Sequence, residues 1–395
     1  MALPAGATTI HTDMTKSDAN VPLHILQVLE PSGGGSGRHF VDLCGGLKAH
    51  GHAVTAVYSP VRAEERFVEE LKALDLRKVI ALPMQRAVGP ADASAWQALA
   101  QVVRAEGPFD IIHGHSSKAG ALTRIRLPGP HVPRIYTPHA FRTMDPTLGA
   151  KGRLLFGKVE TLLGRFFTDR LICVSQSEYE HALTLGIPAE LLRVVVNGVG
   201  EMPRGNGPTI RRRFGLPEHA IIFGFVGRLS AQKAPERLIA AFADIAQNLP
   251  AARLLMVGHG ELEQAIRLQV ETANLADRIT ITADITGAEA MQAFDVLVMP
   301  SRYEAMSYVM LEAAASGLPM IVTDVGGARN VVTPDENGII LANNDAPSSL
   351  AEAMQRLADE ATRTRFSGNA CNRRHSFGME TMIDKTLAIY SEVLN

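Results

Sequence analysis

Short apolar runs alternate with longer amphipathic stretches along most of the chain, and this alternation predicts the fold class. Residues 24–29, 53–58, 111–112, 134–137, 171–174 and 194–196 are brief and mostly apolar, and read as strands. Residues 37–50 and 64–73 carry helical spacing between them. A second series of strands runs through residues 221–226, 254–257, 279–281, 294–299 and 320–322, with a helix expected over 236–245. Strands that alternate with helices form open parallel sheets, so the expectation is an α/β chain of two doubly wound, Rossmann-like domains facing a cleft. Ligands bind such sheets beyond the carboxyl ends of the strands.

Residues 200–208, with Pro203, Gly205, Gly207 and Pro208, read as a linker between a first domain over 22–200 and a second over 201–375. Residues 376–395 hold a last helix, expected over 379–394. Residues 1–21 lack the apolar stretch of a secretory signal and are expected to form a disordered extension.

Composition narrows the picture. A chain of 395 residues suits two domains, and 46% hydrophobic residues can fill two cores. The net charge of −2 argues against a nucleic-acid partner. Residues 1–200 hold 21 Lys/Arg and 18 Asp/Glu, leaving 18 and 23 for the rest, so the halves carry +3 and −5. Cys44, Cys173 and Cys371 are far apart with no metal spacing, as in a reducing compartment, and a cytoplasmic location is expected. No apolar run is long enough to span a bilayer.

Two segments carry charge where the pattern wants none. Glu304 and Glu312 stand eight positions apart around Ala305, Met306, Ser307 and Tyr308, and Glu312 is the only charge from residue 305 to 323. An ionised carboxylate there needs a partner, which is a neighbouring loop or a ligand. If the whole segment is helix, the two lie about 12 Å apart, too far for a glycosidase pair but suited to the two ends of one extended ligand. The helix N-terminus between them offers free N–H groups to a phosphate. Upstream, Gly227 and Arg228 follow the strand 221–226, and Lys233 comes five positions after Arg228. Such cations clamp a diphosphate or lie solvated on the surface.

The glycine-rich loop Gly33, Gly34, Gly35, Ser36, Gly37 follows the first strand but lacks the G-x-G-x-x-G order, and the second strand ends in Tyr58 and Ser59 without an acid for a ribose. An NAD-dependent oxidoreductase is thereby disfavoured. The loop is either a flexible turn or backbone that approaches a ligand. No D-x-D sequence occurs, and no metal site is expected. On residues 152–167, Leu154, Leu155, Val159, Leu162, Leu163 and Phe166 follow helical spacing beside Lys151, Lys158 and Arg165. That stripe either packs inside the first domain, where Gly152, Gly157 and Gly164 suit close contact, or rests on an anionic membrane.

Taken in order, the loop 33–37, His113-Gly114-His115, Thr137-Pro138-His139, Val174-Ser175, Asn197-Gly198-Val199, Gly227-Arg228-Leu229 with Lys233, and the E-x7-E pair resemble the retaining GT-B glycosyltransferases of family four over nearly the whole chain. The resemblance implies a GT-B fold whose C-terminal helix crosses back to the first domain. It implies transfer of a hexosyl unit from a nucleotide diphosphate sugar to a hydroxyl acceptor, a saccharide or lipid-linked saccharide, in bacterial polysaccharide or glycolipid synthesis. The donor is a co-substrate, with no further cofactor. Residues 116–120 are similar to those of bacterial polysaccharide enzymes, which favours UDP over GDP.

By the same resemblance His139, Glu304, Arg228 and Lys233 are the catalytic group. Gly35, Gly37, Gly227, Ala305, Met306, Ser307, Tyr308 and Glu312 hold the donor. Glu304 would take sugar hydroxyls, Glu312 the ribose, and His139 the far side of the sugar. Ser175 is a small polar residue near the cleft or a helix N-cap. The chain departs from the family where Ala305-Met306-Ser307 replaces Gly-Phe-Gly, where Gly200 replaces an acid, and where His259 replaces another, so the sugar is left open. Alternatives are an epimerase or phosphorylase of the same fold, or a catalytically silent nucleotide-sugar-binding partner. Peripheral contact with the inner face of the membrane would follow from a lipid-linked acceptor.

Overall fold

The computed structural model describes residues 21–145, 148–344 and 346–395. The expected extension 1–21 lies, but for Val21, outside the described residues. Seven strands form the first sheet: β1 His24–Leu29, β2 Ala53–Tyr58, β3 Lys78–Ala81, β4 Ile111–His115, β5 Arg134–Thr137, β6 Arg170–Cys173 and β7 Leu192–Val194. Six form the second: β8 Ile221–Val226, β9 Ala252–Val257, β10 Ile279–Thr282, β11 Val296–Met299, β12 Met320–Thr323 and β13 Gly338–Leu341. Their orders are β3-β2-β1-β4-β5-β6-β7 and β10-β9-β8-β11-β12-β13, and every described pairing is parallel. Helices cover both faces, so the central strands are buried on both sides and read as near-continuous apolar runs.

Strand order reverses between β1 and β4 in the first sheet and between β8 and β11 in the second. Chain crossovers leave on opposite faces there and open a crevice at the carboxyl ends. The loops after β1, β4, β8 and β11 carry most of the residues singled out in the sequence.

Three local readings need correction. Ile111 and Ile112 begin β4 rather than end a strand, because the strand continues through His113 and His115, whose rings are buried. Part of the expected linker is helix, Gly207–Arg213, started by Pro208 in the first turn. The helix of the E-x7-E segment starts only at Tyr308 and ends at Ser316, with Gly317 as its left-handed C-cap. Glu304 therefore precedes the helix, and the 12 Å separation expected from eight helical residues does not apply.

The last helix, Met379–Leu394, packs back onto the first sheet. Ile383 sits so close to Gly46 that a Cβ there would lie 2.4 Å from it, and Glu392 pairs with Arg193 at 2.7 Å. Phe377 and Gly378 lead into the helix along Val199 through backbone hydrogen bonds.

Candidate functional site

A cleft opens between the carboxyl ends of the two sheets. Gly33, Gly34, Gly35 and Ser36 line one wall with His139 and Asn197, and Gln232, Tyr303, Glu304, Ala305 and Met306 line the other.

On the second-sheet wall, loops brace one another through the backbone. Leu229 N–H donates to the His259 carbonyl at 2.9 Å, and Gly227 N–H to that of Val257 at 3.0 Å. A Cβ on Gly258 would stand 2.0 Å from the Gly227 carbonyl oxygen, so only glycine lets these two turns meet. The loop after β12 closes on the next in the same way, since a Cβ on Gly326 would lie 2.3 Å from the Glu304 carbonyl oxygen. Held by this frame, Lys233 Nζ meets Glu304 Oε1 at 2.6 Å, with side chains 17% and 7% exposed. The structure thus pairs the two residues that the sequence assigns to diphosphate and sugar. Arg228 is exposed at the same turn and makes no hydrogen bond or ion pair among the described residues.

At the start of the Tyr308–Ser316 helix, Ser307 Oγ and Tyr308 Oη are buried without partners. The first-turn N–H groups have no intrahelical acceptor either. Unpaired donors gathered at a positive helix end favour an anionic oxygen-rich ligand. Glu312, one turn further on, is half-buried. Burial pushes its carboxyl above the usual range, with Arg38 opposing and Asp42 adding to the shift. Arg38 and Asp42, paired at 2.7 Å on the helix Gly34–Ala49, belong to the other wall, and burial raises Asp42 to about 6. This pair carries no signal along the chain, because its proximity to Glu312 exists only once the domains meet.

The first-sheet wall is built from histidines. His113 and His115 alternate on β4, beside Gln27 on β1, and share one face of the sheet. Gln27 Nε2 donates to Tyr390 Oη at 2.9 Å, leaving the Tyr390 hydroxyl to donate to His113 Nδ1 at 2.7 Å. His113 Nε2 then donates to Thr137 Oγ1 at 2.8 Å, and His115 Nε2 to Gln27 Oε1 at 2.7 Å. The remaining lone pair of His115 Nδ1 accepts from His139 Nε2 at 3.1 Å. One chain of hydrogen bonds thus runs from the crossover helix to the cleft, and it assigns the tautomer of each ring by donor and acceptor count. Burial holds His113, His115 and His139 well below the ordinary histidine range, and His39 at about 4. All four are neutral at pH 7.

His139 and Ala140 both adopt left-handed backbone, with φ of 52° and 79°. Glu178 holds that turn by accepting from Ala140 N–H and Val174 N–H, each at 2.7 Å. Burial raises its carboxyl to about 7. Ser175 is the N-cap of the helix Gln176–Thr184, its Oγ accepting from Glu178 N–H. Gly37 is not in a loop: the glycine segment coils into helix from Gly34, and Gly37 packs against Phe67. Gly35 faces the cleft with Tyr308 close to it. Asn197, which appears in the sequence only as part of a motif, lines the cleft with a buried, unpartnered Oδ1.

Ring nitrogens of His39, His115 and His139 lie within 4.8 Å of one another, a set able to hold a metal ion although none was expected. Two of those nitrogens already satisfy each other, while His39 Nδ1 lacks a partner. A second group, His50, Glu380 and Asp384, lies away from the cleft.

Comparison with known proteins gives a consistent result. Residues 33–200 match the family model described as Glycosyltransferase Family 4, and residues 206–373 match that of glycosyl transferases group 1. An Escherichia coli UDP-Gal:alpha-D-GlcNAc-diphosphoundecaprenol alpha-1,3-galactosyltransferase is 31% identical over 72% of this chain and 76% of its own. A D-inositol 3-phosphate glycosyltransferase of Thermomonospora curvata is 26% identical over 94% of both chains. Among solved structures, Anabaena HepE in complex with UDP superposes with a TM-score of 0.78 at 20% identity, over 94% of this chain and all of HepE. That likeness speaks for the fold.

Proposed function

We propose a function on one premise, that the chain belongs to the GT-B glycosyltransferases of family four and is itself a glycosyltransferase. It moves a hexosyl unit from a UDP-sugar to a hydroxyl on a saccharide or lipid-linked saccharide, with retention at the anomeric carbon. The E. coli relative, whose name specifies a UDP-sugar and a diphosphoundecaprenol acceptor, supports both choices. Peripheral contact with the inner face of a membrane belongs to the same reading, and no described helix is long and apolar enough to cross one.

The observation that carries the assignment is the Lys233–Glu304 pair, whose Glu304 lines the cleft opposite His139 and shortly precedes a helix start with the unpartnered hydroxyls of Ser307 and Tyr308. Lys233, Arg228 and the N–H groups at the helix start take the charge that develops on the departing diphosphate. Glu304, released from Lys233 when phosphate competes for the ammonium, accepts from sugar hydroxyls, and Glu312 accepts from the ribose. Gly227 and Ala305 let backbone approach the donor, and Met306 backs it. His139, a neutral imidazole whose Nε2 proton is directed at His115, turns its Nδ1 lone pair outward as an acceptor for a sugar hydroxyl.

The test is turnover of a panel of UDP- and GDP-linked hexoses with and without a saccharide acceptor. The expected result is acceptor-dependent release of UDP that survives a chelator. Donor isomerised without transfer marks an epimerase, transfer that needs inorganic phosphate marks a phosphorylase, and binding without turnover marks a silent partner; each would displace the proposal.

A further inference from the structure

The helix Ala150–Phe166 turns an apolar face to solvent. Leu154, Leu155, Leu162 and Phe166 are 62, 63, 53 and 67% exposed, and Val159 is also exposed. Its opposite side does the packing: Gly157, Glu160, Leu163 and Gly164 are buried, with Gly157 against Leu185 and Gly164 against Ile187. Glu160 is locked there by Arg124 Nη2 at 2.8 Å and by the Tyr136 hydroxyl at 3.1 Å. The glycines therefore serve close packing as the sequence suggested, yet the stripe beside them does not enter the core.

At about 100° per residue, the five exposed apolar side chains share an arc of about 140° with Lys151, Lys158 and Arg165. All three cations are exposed, and the single acid of the helix is the buried Glu160 on the far side. A protein interior would leave these cations without counter-charge, and self-pairing of this face in a second copy would bring only further cations to it. An anionic leaflet supplies both an apolar layer and negative headgroups. We propose that the Ala150–Phe166 helix lies on an anionic bilayer surface, apolar side chains among the acyl chains and cations at the headgroups. Phe141, Arg142, Met144 and Asp145, which line the cleft, come just before this helix, so docking sets the acceptor side of the cleft close to the leaflet. That last step rests on the lipid-linked acceptor reading; the docking itself does not.

The experiment is sedimentation of the full chain with vesicles of phosphatidylcholine, with and without phosphatidylglycerol. Binding is expected only with the anionic lipid. It should fall on the order of 100-fold in Lys151→Glu/Lys158→Glu/Arg165→Glu, about fivefold for each charge neutralised and more on reversal. Leu155→Ser/Phe166→Ser should also lose binding while melting like the parent, since both side chains are exposed. Absence of vesicle binding by the parent, or binding unchanged in both variants, overturns the inference. So does a dimer in solution that the serine variant dissolves, which would give the face to a second copy. Release of UDP with a water-soluble acceptor is expected unchanged in both variants. A failed transferase reading therefore appears in the parent enzyme, and failed docking appears only in vesicle binding.

Discussion

The two halves of the molecule handle charge in opposite ways. Among the described residues, the Asp, Glu, His and Arg residues that are buried as whole residues lie before residue 200, among them His39, His113, His115, Arg124, Glu160 and Glu178; beyond it the Glu304 side chain, 7% exposed and paired with Lys233, is the exception. Beyond it, among the described residues, the other buried polar groups are the hydroxyls and amides of Ser, Thr and Asn, with the Tyr390 hydroxyl turned into the first-half network. The first half runs polar networks through its interior and delivers one ring, His139, to the cleft. The second keeps an apolar core and presents its charges from loops that glycine contacts hold in place. Buried networks tie site geometry to folding, because a broken member leaves a polar group unpaired. Loop charges on an apolar frame can be lost with the fold intact.

Arg124→Met puts the largest strain on this contrast. Arg124 is fully buried, pairs with Glu160 and lies 3.8 Å over the Tyr136 ring. Its removal strands the Glu160 carboxylate and should cost about 3 to 5 kcal/mol in urea unfolding. A cost below about 1 kcal/mol would mean the first-half network is not structural.

Lys233→Ala sits between the two regimes. Turnover should drop by about 2.7 to 4 kcal/mol of barrier. Some stability should go with it, because Glu304 is then left largely buried without its cation. Equal melting of variant and parent would show that Glu304 finds water or another donor.

Glu304→Gln and Glu312→Gln sharpen the roles within the second half. The first should lower turnover more than nucleotide affinity, and the second should weaken nucleotide binding by roughly 1.5 to 3 kcal/mol. Calorimetry with free UDP decides, since equal affinity losses would merge the two roles.

The contrast also predicts how stability changes with pH. His39, His113, His115 and His139 have folded values below 6.5, so the unfolded chain binds more protons once pH falls under that point, and stability drops with acidification. Asp42 and Glu178, raised to about 6 and about 7, act in reverse: their contribution is present at low pH and is lost as pH rises through those values. With His24, His52 and His181 also lowered and Glu312 also raised, seven histidines outweigh three carboxyls, and a net loss of about 1.4 kcal/mol per pH unit for each unbalanced proton is expected between pH 6.5 and 5. Urea midpoints across that window should fall, and His113→Gln should flatten the slope. A rising midpoint would reverse the balance.

The architecture was legible because parallel strands buried on both faces leave unbroken apolar runs; β1, β2, β5 and β8 begin and end where the pattern put them. β3, with the run Lys78-Val-Ile-Ala at a sheet edge, was missed because an edge strand carries little apolar signal. Residues that line the cleft were singled out where a motif and a strand end coincide, as at His139 and Glu304, whereas Arg228 stands exposed at its turn outside that lining. Asn197, Arg38, Asp42 and the Gln27–Tyr390 link were not, since their significance comes from contacts between segments far apart in sequence. The start of the Tyr308 helix was misplaced because Ala305 and Met306 are good helix formers, and tertiary packing of Gly326 and Gly327 against residues 304–306 overrides that preference.

The most direct test of the contrast is Arg228→Ala, with turnover and melting measured on one preparation. Arg228 is exposed and unpaired among the described residues, so melting within about 0.5 kcal/mol of the parent and UDP release lowered on the order of 100- to 1000-fold are expected. Parent-level turnover, or a loss of activity that merely follows a loss of folded protein, would contradict it.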